Sequence, residues 1–127
     1  MKLEAADALE HARAHLTISR KVLQISASAA GREAYLAALT AARGLTFELL
    51  NKGPKTHKGV RALMHELVRS GLKIDSDLLA IFDKGFDVKV EADYGDPTAV
   101  STLQAQTTIA MAEAFIARVE QILADRT

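Results

Sequence analysis

The chain has 127 residues, of which 49% are apolar and 5% aromatic, and its 16 basic and 16 acidic side chains cancel to a formal net charge of zero. This length supports one hydrophobic core and is too short for two, so we predict a single domain over residues 1–127. Alanine supplies much of the apolar content, which favours closely packed helices over a sheet. Because the chain has no cysteine, disulfides, thiolate nucleophiles and cysteine-bound metal centres are excluded. The zero net charge gives the chain as a whole no long-range attraction to nucleic acid.

The N-terminal stretch MKLEAADALEHARAH places acids and histidines where a secretory signal needs an unbroken apolar segment. We therefore expect a cytoplasmic protein. The longest run without charge, residues 97–112, is rich in threonine, serine and glutamine and is too polar to cross a bilayer. No membrane association is expected.

The first two predicted helices occupy the N-terminal part of the chain. An amphipathic helix runs from about Lys2 to Ser26, with apolar residues at heptad-like spacing. The small residues SASAAG then separate it from a second helix, from about Arg32 to Asn51. The second helix is apolar on nearly all sides, which is typical of the helix at the centre of a bundle.

Glycine and proline mark the boundaries of the third predicted helix. After the second helix, Gly53 is a candidate for a left-handed cap, and Pro54 cannot continue the helical hydrogen bonds. Thr56 can cap the third helix, whose apolar residues follow i, i+3, i+4, i+7 spacing until Gly71 ends it.

The remaining chain predicts two more helices. Asp75 or Ser76 opens the fourth, which continues to about Tyr94. Asp96 is a good N-cap and Pro97 a good first-turn residue for a long last helix. The expected fold is all-α: an up-and-down bundle of four long helices and one short helix.

Three stretches carry a resemblance to a known family: AYLAALTAARGLTFELLNKG, then PKTHKGV, then VEADYGD before the last helix. From about Arg32 to the C-terminus the chain resembles the HEPN domain (higher eukaryote and prokaryote nucleotide-binding), in its small stand-alone bacterial branch. The resemblance implies a bundle of four or five helices, commonly a homodimer. It also implies a metal-independent ribonuclease, often the toxin paired with a small nucleotidyltransferase in a toxin–antitoxin system.

The ribonuclease motif of that family is an arginine followed, after four to six residues, by a histidine near the end of the penultimate helix. The corresponding stretch here runs from Lys89 to Tyr94, and no histidine follows it. Lysine is a point charge that lacks the two-pronged donor geometry of arginine. Without an imidazole, this stretch has no group that titrates near pH 7. We therefore favour a binding protein over an enzyme.

The charged segments supply the candidate ligand- or partner-binding residues. Positive charge is concentrated between Lys52 and Lys73, and negative charge between Asp75 and Asp96. One surface should therefore be basic and its neighbour acidic. The candidates are His57, Lys55, Lys58, Asp87, Lys89, Glu91, Asp93 and Tyr94. No catalytic residue, metal site or cofactor is assigned.

Each candidate group has two interpretations. Asp83, Asp87 and Glu91 lie at i, i+4, i+8 on one helix face. This face either binds a cation or a partner, or is a solvated acidic face. His57, at the start of the third helix between two lysines, either binds a phosphate or belongs to an ordinary capped helix start. We interpret Arg61 as part of a solvated basic face of the third helix.

Three other positions are best explained by structure alone. His65 shares the solvated face of the third helix, and His11 and His15 have zinc-like spacing but no evident third ligand. Arg43 stands in an apolar helix, so it needs an acid, either from the fourth helix or from a second subunit.

These observations leave three hypotheses for function. The first is a dimeric module with a degenerate ribonuclease motif that binds nucleotide, RNA or a nucleotidyltransferase. The second is a ribonuclease toxin in which Lys89, Tyr94 or His57 replaces the missing pair. The third is a structural adaptor without a ligand.

Overall fold

The computed structural model describes residues 1–126, and Thr127 lies outside the described part of the chain. The helices follow in the order α1 (Leu3–Val22), α2 (Ala27–Leu50), α3 (His57–Arg69), α4 (Ser76–Leu79), a π-helical turn (Ile81–Gly85), α5 (Phe86–Tyr94) and α6 (Thr102–Asp125). Within residues 1–126 there is no strand, and the predicted all-α bundle is confirmed. No helix of these residues is both long and apolar enough to cross a membrane.

Helix α2 is the central element of the bundle, as its apolar sequence predicted. It contacts α1, α3, α5 and α6. Alanines cover much of its buried surface, so neighbouring helices approach its backbone closely, while Tyr35 and Leu45 fill the remaining space. On the other side of the core, the rings of Phe82 and Phe115 meet edge to face with centroids 5.2 Å apart.

The start of α2 corrects the prediction. The helix begins at Ala27, so the predicted start near Arg32 is wrong. The Ser26 hydroxyl oxygen accepts a hydrogen bond from the Ala29 amide at 3.1 Å, which caps the helix before the small residues that looked like a break. A Cβ at Gly31 would lie 2.5 Å from Val88 Cγ1, so α5 crosses α2 at this glycine.

The segment between α2 and α3 also differs from the prediction, at the residue that takes the left-handed conformation. Asn51 takes the left-handed conformation with φ of 56°, so the prediction that Gly53 does so is wrong. Asparagine tolerates this region better than most residues. Thr56 caps α3 as predicted, by accepting a hydrogen bond from the Gly59 amide at 3.0 Å. Gly71, with φ of 114°, confirms the predicted end of the third helix.

The predicted fourth helix is interrupted. The π turn between α4 and α5 inserts an extra residue into the helical turn, so side chains before and after it are rotated relative to each other. Gly85 ends the π turn, and a Cβ there would lie 3.0 Å from Tyr35 Cδ1. The missing side chain leaves room for the Tyr35 ring beside α5.

The last helix begins later than predicted. The Asp96 carboxylate accepts hydrogen bonds from the amide and hydroxyl of Thr98 at 2.8 and 2.6 Å, and so closes a turn. The cap of α6 is Ser101, which forms a reciprocal capping box with Gln104. The prediction that Asp96 and Pro97 open the helix is therefore wrong.

Candidate functional site

A tyrosine, a histidine and a phenylalanine meet where α2, α3 and α5 come together. Tyr35 is 1% exposed, and its hydroxyl forms a hydrogen bond with Nδ1 of His57. The His57 ring stacks on Phe86 with centroids 3.8 Å apart and an interplanar angle of 17°. Tyr35 also meets Phe86 at a centroid distance of 5.8 Å. The His57 ring is therefore held by a hydrogen bond at one nitrogen and by stacking on one face.

The charges around His57 act on its pKa in both directions. Burial lowers the pKa of His57, and the positive charge of Arg61 lowers it further. The carboxylates of Asp83 and Asp87 oppose this change, while Lys89 adds to it. The net direction of the pKa is downward, so His57 is a neutral imidazole at pH 7.

Burial also raises the pKa of Tyr35, so its phenol keeps its proton. With Tyr35 as the donor, Nδ1 of His57 is the acceptor, and the neutral ring carries its proton on Nε2. In the other tautomer Nδ1–H donates and the phenol oxygen accepts, so the direction of this bond and the tautomer of His57 change together.

A second group of charges lies along α2 and α5. Lys89 Nζ lies 2.8 Å from Asp93 Oδ2, and Arg32 Nε lies 2.8 Å from Asp93 Oδ1. The hydrogen bond from Lys89, and then that from Arg32, lowers the pKa of Asp93, although partial burial acts in the opposite direction. One carboxylate thus bridges two neighbouring cations, and the three groups together keep one positive charge.

The three acids predicted to share one helix face point to different neighbours. Arg61 Nε donates to Asp83 Oδ1 at 2.9 Å, which joins α3 to the π turn. Asp87 and Glu91 instead line a groove between α5 and α6, of about 410 Å³. Among residues 1–126, neither of these two carboxylates has a hydrogen-bond or ion-pair partner. Of the predicted acidic face, Asp87 and Glu91 share this groove, whereas Asp83 lies in the π turn before α5.

The α5–α6 groove has an apolar floor beside these carboxylates. Tyr94 ends α5 and is 83% exposed, and Leu103 at the groove is 71% exposed. The full lining is Lys84, Asp87, Val88, Glu91, Val100, Leu103, Gln104, Thr107, Thr108 and Met111.

One family model matches almost the whole chain, over residues 2–122, and its description is the HEPN domain. The chain belongs to the HEPN domain family. This match confirms the resemblance noted in the sequence. HEPN domains act as nucleotide- or RNA-binding or ribonuclease-like modules. Comparison with curated proteins finds no match.

The HEPN domain brings some of the predicted site residues together and leaves others apart. His57 interacts electrostatically with Asp87 and Lys89, and Lys89 binds Asp93. Lys55 and Lys58 lie exposed at the start of α3, without a side-chain partner among the described residues. Their role and those of Glu91 and Tyr94 stay predictions.

Sequence reasoning missed three residues of this site: Arg32, Tyr35 and Phe86. Tyr35 belongs to the second helix, which was predicted to be apolar on nearly all sides, yet a buried tyrosine hydroxyl usually has a hydrogen-bond partner. Its position in an alanine-rich helix was the one available signal. Arg32 and Phe86 became recognisable only once α5 lay against α2.

Arg43 of the HEPN domain does not meet an acid of the predicted fourth helix. It lines a cavity of about 400 Å³ between α1 and α2, together with Glu4 and Asp7 of α1. Its Nε is buried and makes no hydrogen bond within residues 1–126. That part of the prediction is wrong, because the fourth segment crosses α2 at its other end, near Gly31.

The two histidines of α1, His11 and His15, do not form a metal site. His15 Nδ1 lies 2.6 Å from Glu33 Oε2, whereas His11 is exposed. In the described part of the HEPN domain, no group of three or more histidines and carboxylates is arranged to hold a metal ion.

Proposed function

We propose that this HEPN domain is a homodimeric module that binds RNA or nucleotide without cleaving it, and that it pairs with a nucleotidyltransferase. The observation that carries the proposal is the shared carboxylate of Asp93, which binds both Arg32 and Lys89. Lys89 occupies the position of the arginine in the family's ribonuclease motif, and no histidine follows it.

The chemistry of RNA cleavage explains why this observation matters. Attack by a ribose hydroxyl needs a group that accepts its proton and a cation that stabilises the phosphate. Here Lys89 already has an ionised partner 2.8 Å away, which it shares with Arg32, so its charge is partly compensated. His57 uses Nδ1 to bind Tyr35 and lies against Phe86, so one nitrogen and one face are engaged.

The experiment is an RNA-cleavage assay in the presence of EDTA, with Lys89→Ala and His57→Ala beside the wild type. We expect intact RNA in all three reactions, because none of the proteins positions a free acid–base pair. Cleavage by the wild type that is lost in either folded variant would contradict the proposal.

One observation favours a second candidate function, a ribonuclease toxin. His57 is neutral at pH 7, as a general base must be, and it interacts electrostatically with Lys89. In that case the ring proton of His57 lies on Nδ1 and is donated to the Tyr35 oxygen. Cleavage and growth arrest on expression would then depend on Nε2 of His57 as the proton acceptor, with Lys89 at the phosphate. The cleavage assay separates the two candidates directly.

The α5–α6 groove supports the homodimer. Its apolar floor and the exposed Leu103 form the kind of patch that a second protein surface covers. We propose that a second copy of the chain lies against this groove and encloses Tyr94. Lys84, on the same rim as Asp87 and Glu91, offers an opposite charge to a two-fold related copy.

A further inference from the structure

We propose that the exposed side of α3 binds the phosphate backbone of a nucleic acid strand, an inference that rests on the proposed RNA-binding function. The α3 basic face consists of Lys58, Arg61, His65 and Arg69. It lies on a different helix from the Lys89–Asp93 pair and the α5–α6 groove.

The spacing of the four residues puts them on one side of the helix. They follow one another at intervals of three, four and four residues, whereas the buried Val60 and Met64 lie on the opposite side. From Lys58 to Arg69 the stripe is about 16 Å long at 1.5 Å per residue. Such a length allows contact with several consecutive phosphates.

The cationic groups of this face are available for a ligand. Among residues 1–126, neither Lys58 nor Arg69 has a hydrogen bond or ion pair from its side chain. Arg61 donates only its Nε to Asp83, so its two terminal nitrogens remain free within this part of the chain. By contrast, Arg13 and Arg20 of α1 are paired with glutamates.

A surface cavity lies on the same face of α3. It has a volume of about 310 Å³ and is lined by Arg61, Ala62, His65 and Arg69. The Nε2 atom of His65 is buried and has no hydrogen-bond partner among the described residues. Because this nitrogen is closed to solvent, the open cavity and its cations, Arg61 and Arg69, are what a phosphate can reach.

The composition of the face favours a phosphate chain over an acidic protein. Protein interfaces centre on aromatic or large apolar anchors, and the cavity offers only the methyl group of Ala62. Phosphate recognition needs cations and hydrogen-bond donors, which this face presents in a row. Glu66 is the one acid between Lys52 and Lys73, next to His65 in the sequence.

The charges of the groove exclude it as the phosphate site. Asp87 and Glu91 stand unpaired there within residues 1–126, and they repel an anionic backbone. The α3 basic face and the α5–α6 groove therefore suit different partners.

The test measures how binding of a short single-stranded RNA to the full chain depends on salt. For the double variant Lys58→Gln/Arg69→Gln, we expect weaker binding and a slope of log K against log salt that is smaller by about 1.4, at about 0.7 per lost phosphate contact. The control, Lys21→Gln/Arg126→Gln, removes the same charge from exposed positions outside α3 and should keep the wild-type slope. Circular dichroism verifies that both variants are folded.

Each outcome decides a different point. A wild type that binds no RNA contradicts the proposed function itself. If the wild type binds RNA and both double variants weaken it equally, or neither does, the assignment to α3 is overturned. Single-stranded DNA of the same sequence should show the same loss of slope, because the contacts are to phosphates. Equal binding of polyglutamate at matched salt would overturn the choice of nucleic acid.

Discussion

At the residue scale, the Tyr35–His57 hydrogen bond determines what this histidine does. Protonation of His57 at Nδ1 turns this nitrogen from an acceptor into a donor, so the Tyr35 oxygen must accept and the direction of the bond reverses. Protonation also places a positive charge near Arg61 and Lys89. The native state therefore favours the neutral ring.

This preference predicts a pH dependence of stability. The pKa of His57 is below 6.5 in the folded chain, so between the two values the unfolded chain binds a proton that the native state does not. Stability is fully present above about pH 6.5 and decreases as the pH falls toward the folded-state pKa. His57→Asn should flatten this decrease when melting temperatures are measured from pH 7 to pH 5.

The matched control is His11→Asn, which changes an exposed histidine and should leave the pH profile of the wild type unchanged. A His57→Asn profile as steep as that of the wild type would show that other groups cause the decrease.

The sequence predicted His57 as a site residue but not its partners. Its place at a helix start between Lys55 and Lys58 was visible in the chain. The hydroxyl of Tyr35 and the ring of Phe86 come from distant segments, and their contact depends on how three helices cross. Such a contact has no local signature.

At the element scale, the crossing of α2 and α5 at Gly31 positions the site. Val88 lies against this glycine, and its helical neighbours Phe86 and Lys89 belong to the site. A β-branched side chain such as valine has little rotational freedom in a helix, so it cannot move aside easily.

Gly31→Ala should destabilise the fold by up to about 2 kcal/mol, which is the overpacking cost of about 1–3 kcal/mol less the gain of about 1 kcal/mol in helix propensity. The reason is the 2.5 Å approach of the new Cβ to Val88 Cγ1. Val88→Ala should relieve it, so that the double variant is at least about 0.5 kcal/mol more stable than the sum of the single changes. Urea denaturation of the four proteins measures this cycle, and simple additivity would rule out the contact.

The errors in helix boundaries share one physical cause. The caps of α2 and α6 include Ser26, Asn51 and Ser101. They act through hydrogen bonds or backbone conformations that several nearby residues could equally adopt. Asp96 was a plausible cap, yet its carboxylate instead closes a turn with Thr98. The π turn left no signal in the sequence, because its apolar spacing resembles that of an ordinary helix.

At the scale of the whole molecule, the fold was predictable because periodicity extends over long segments. The continuous apolar character of α2 identified the central helix, and the stripe of α6 identified another long helix. The distribution of charge between α3 and the following segment was also visible in the sequence. The sequence did not show which acids remain unpaired, because Asp83 and Asp93 pair with residues of other helices.

The proposed homodimer gives a prediction at the same scale. Leu103→Glu introduces a charge at the groove and should convert the dimer to a monomer in light scattering coupled to size-exclusion chromatography. Leu3→Glu is a matched control, because both leucines are 71% exposed and Leu3 lies on α1. A monomeric wild type, or equal behaviour of the two variants, would contradict a dimer through this groove.

We propose that this HEPN domain binds RNA and leaves it intact, since Asp93 pairs with both Lys89 and Arg32. The most direct measurement incubates the purified wild type with one labelled RNA in EDTA and examines binding and strand length together. We predict a bound RNA of full length. Shortened RNA, with cleavage abolished by Lys89→Ala or His57→Ala in folded protein, would contradict it.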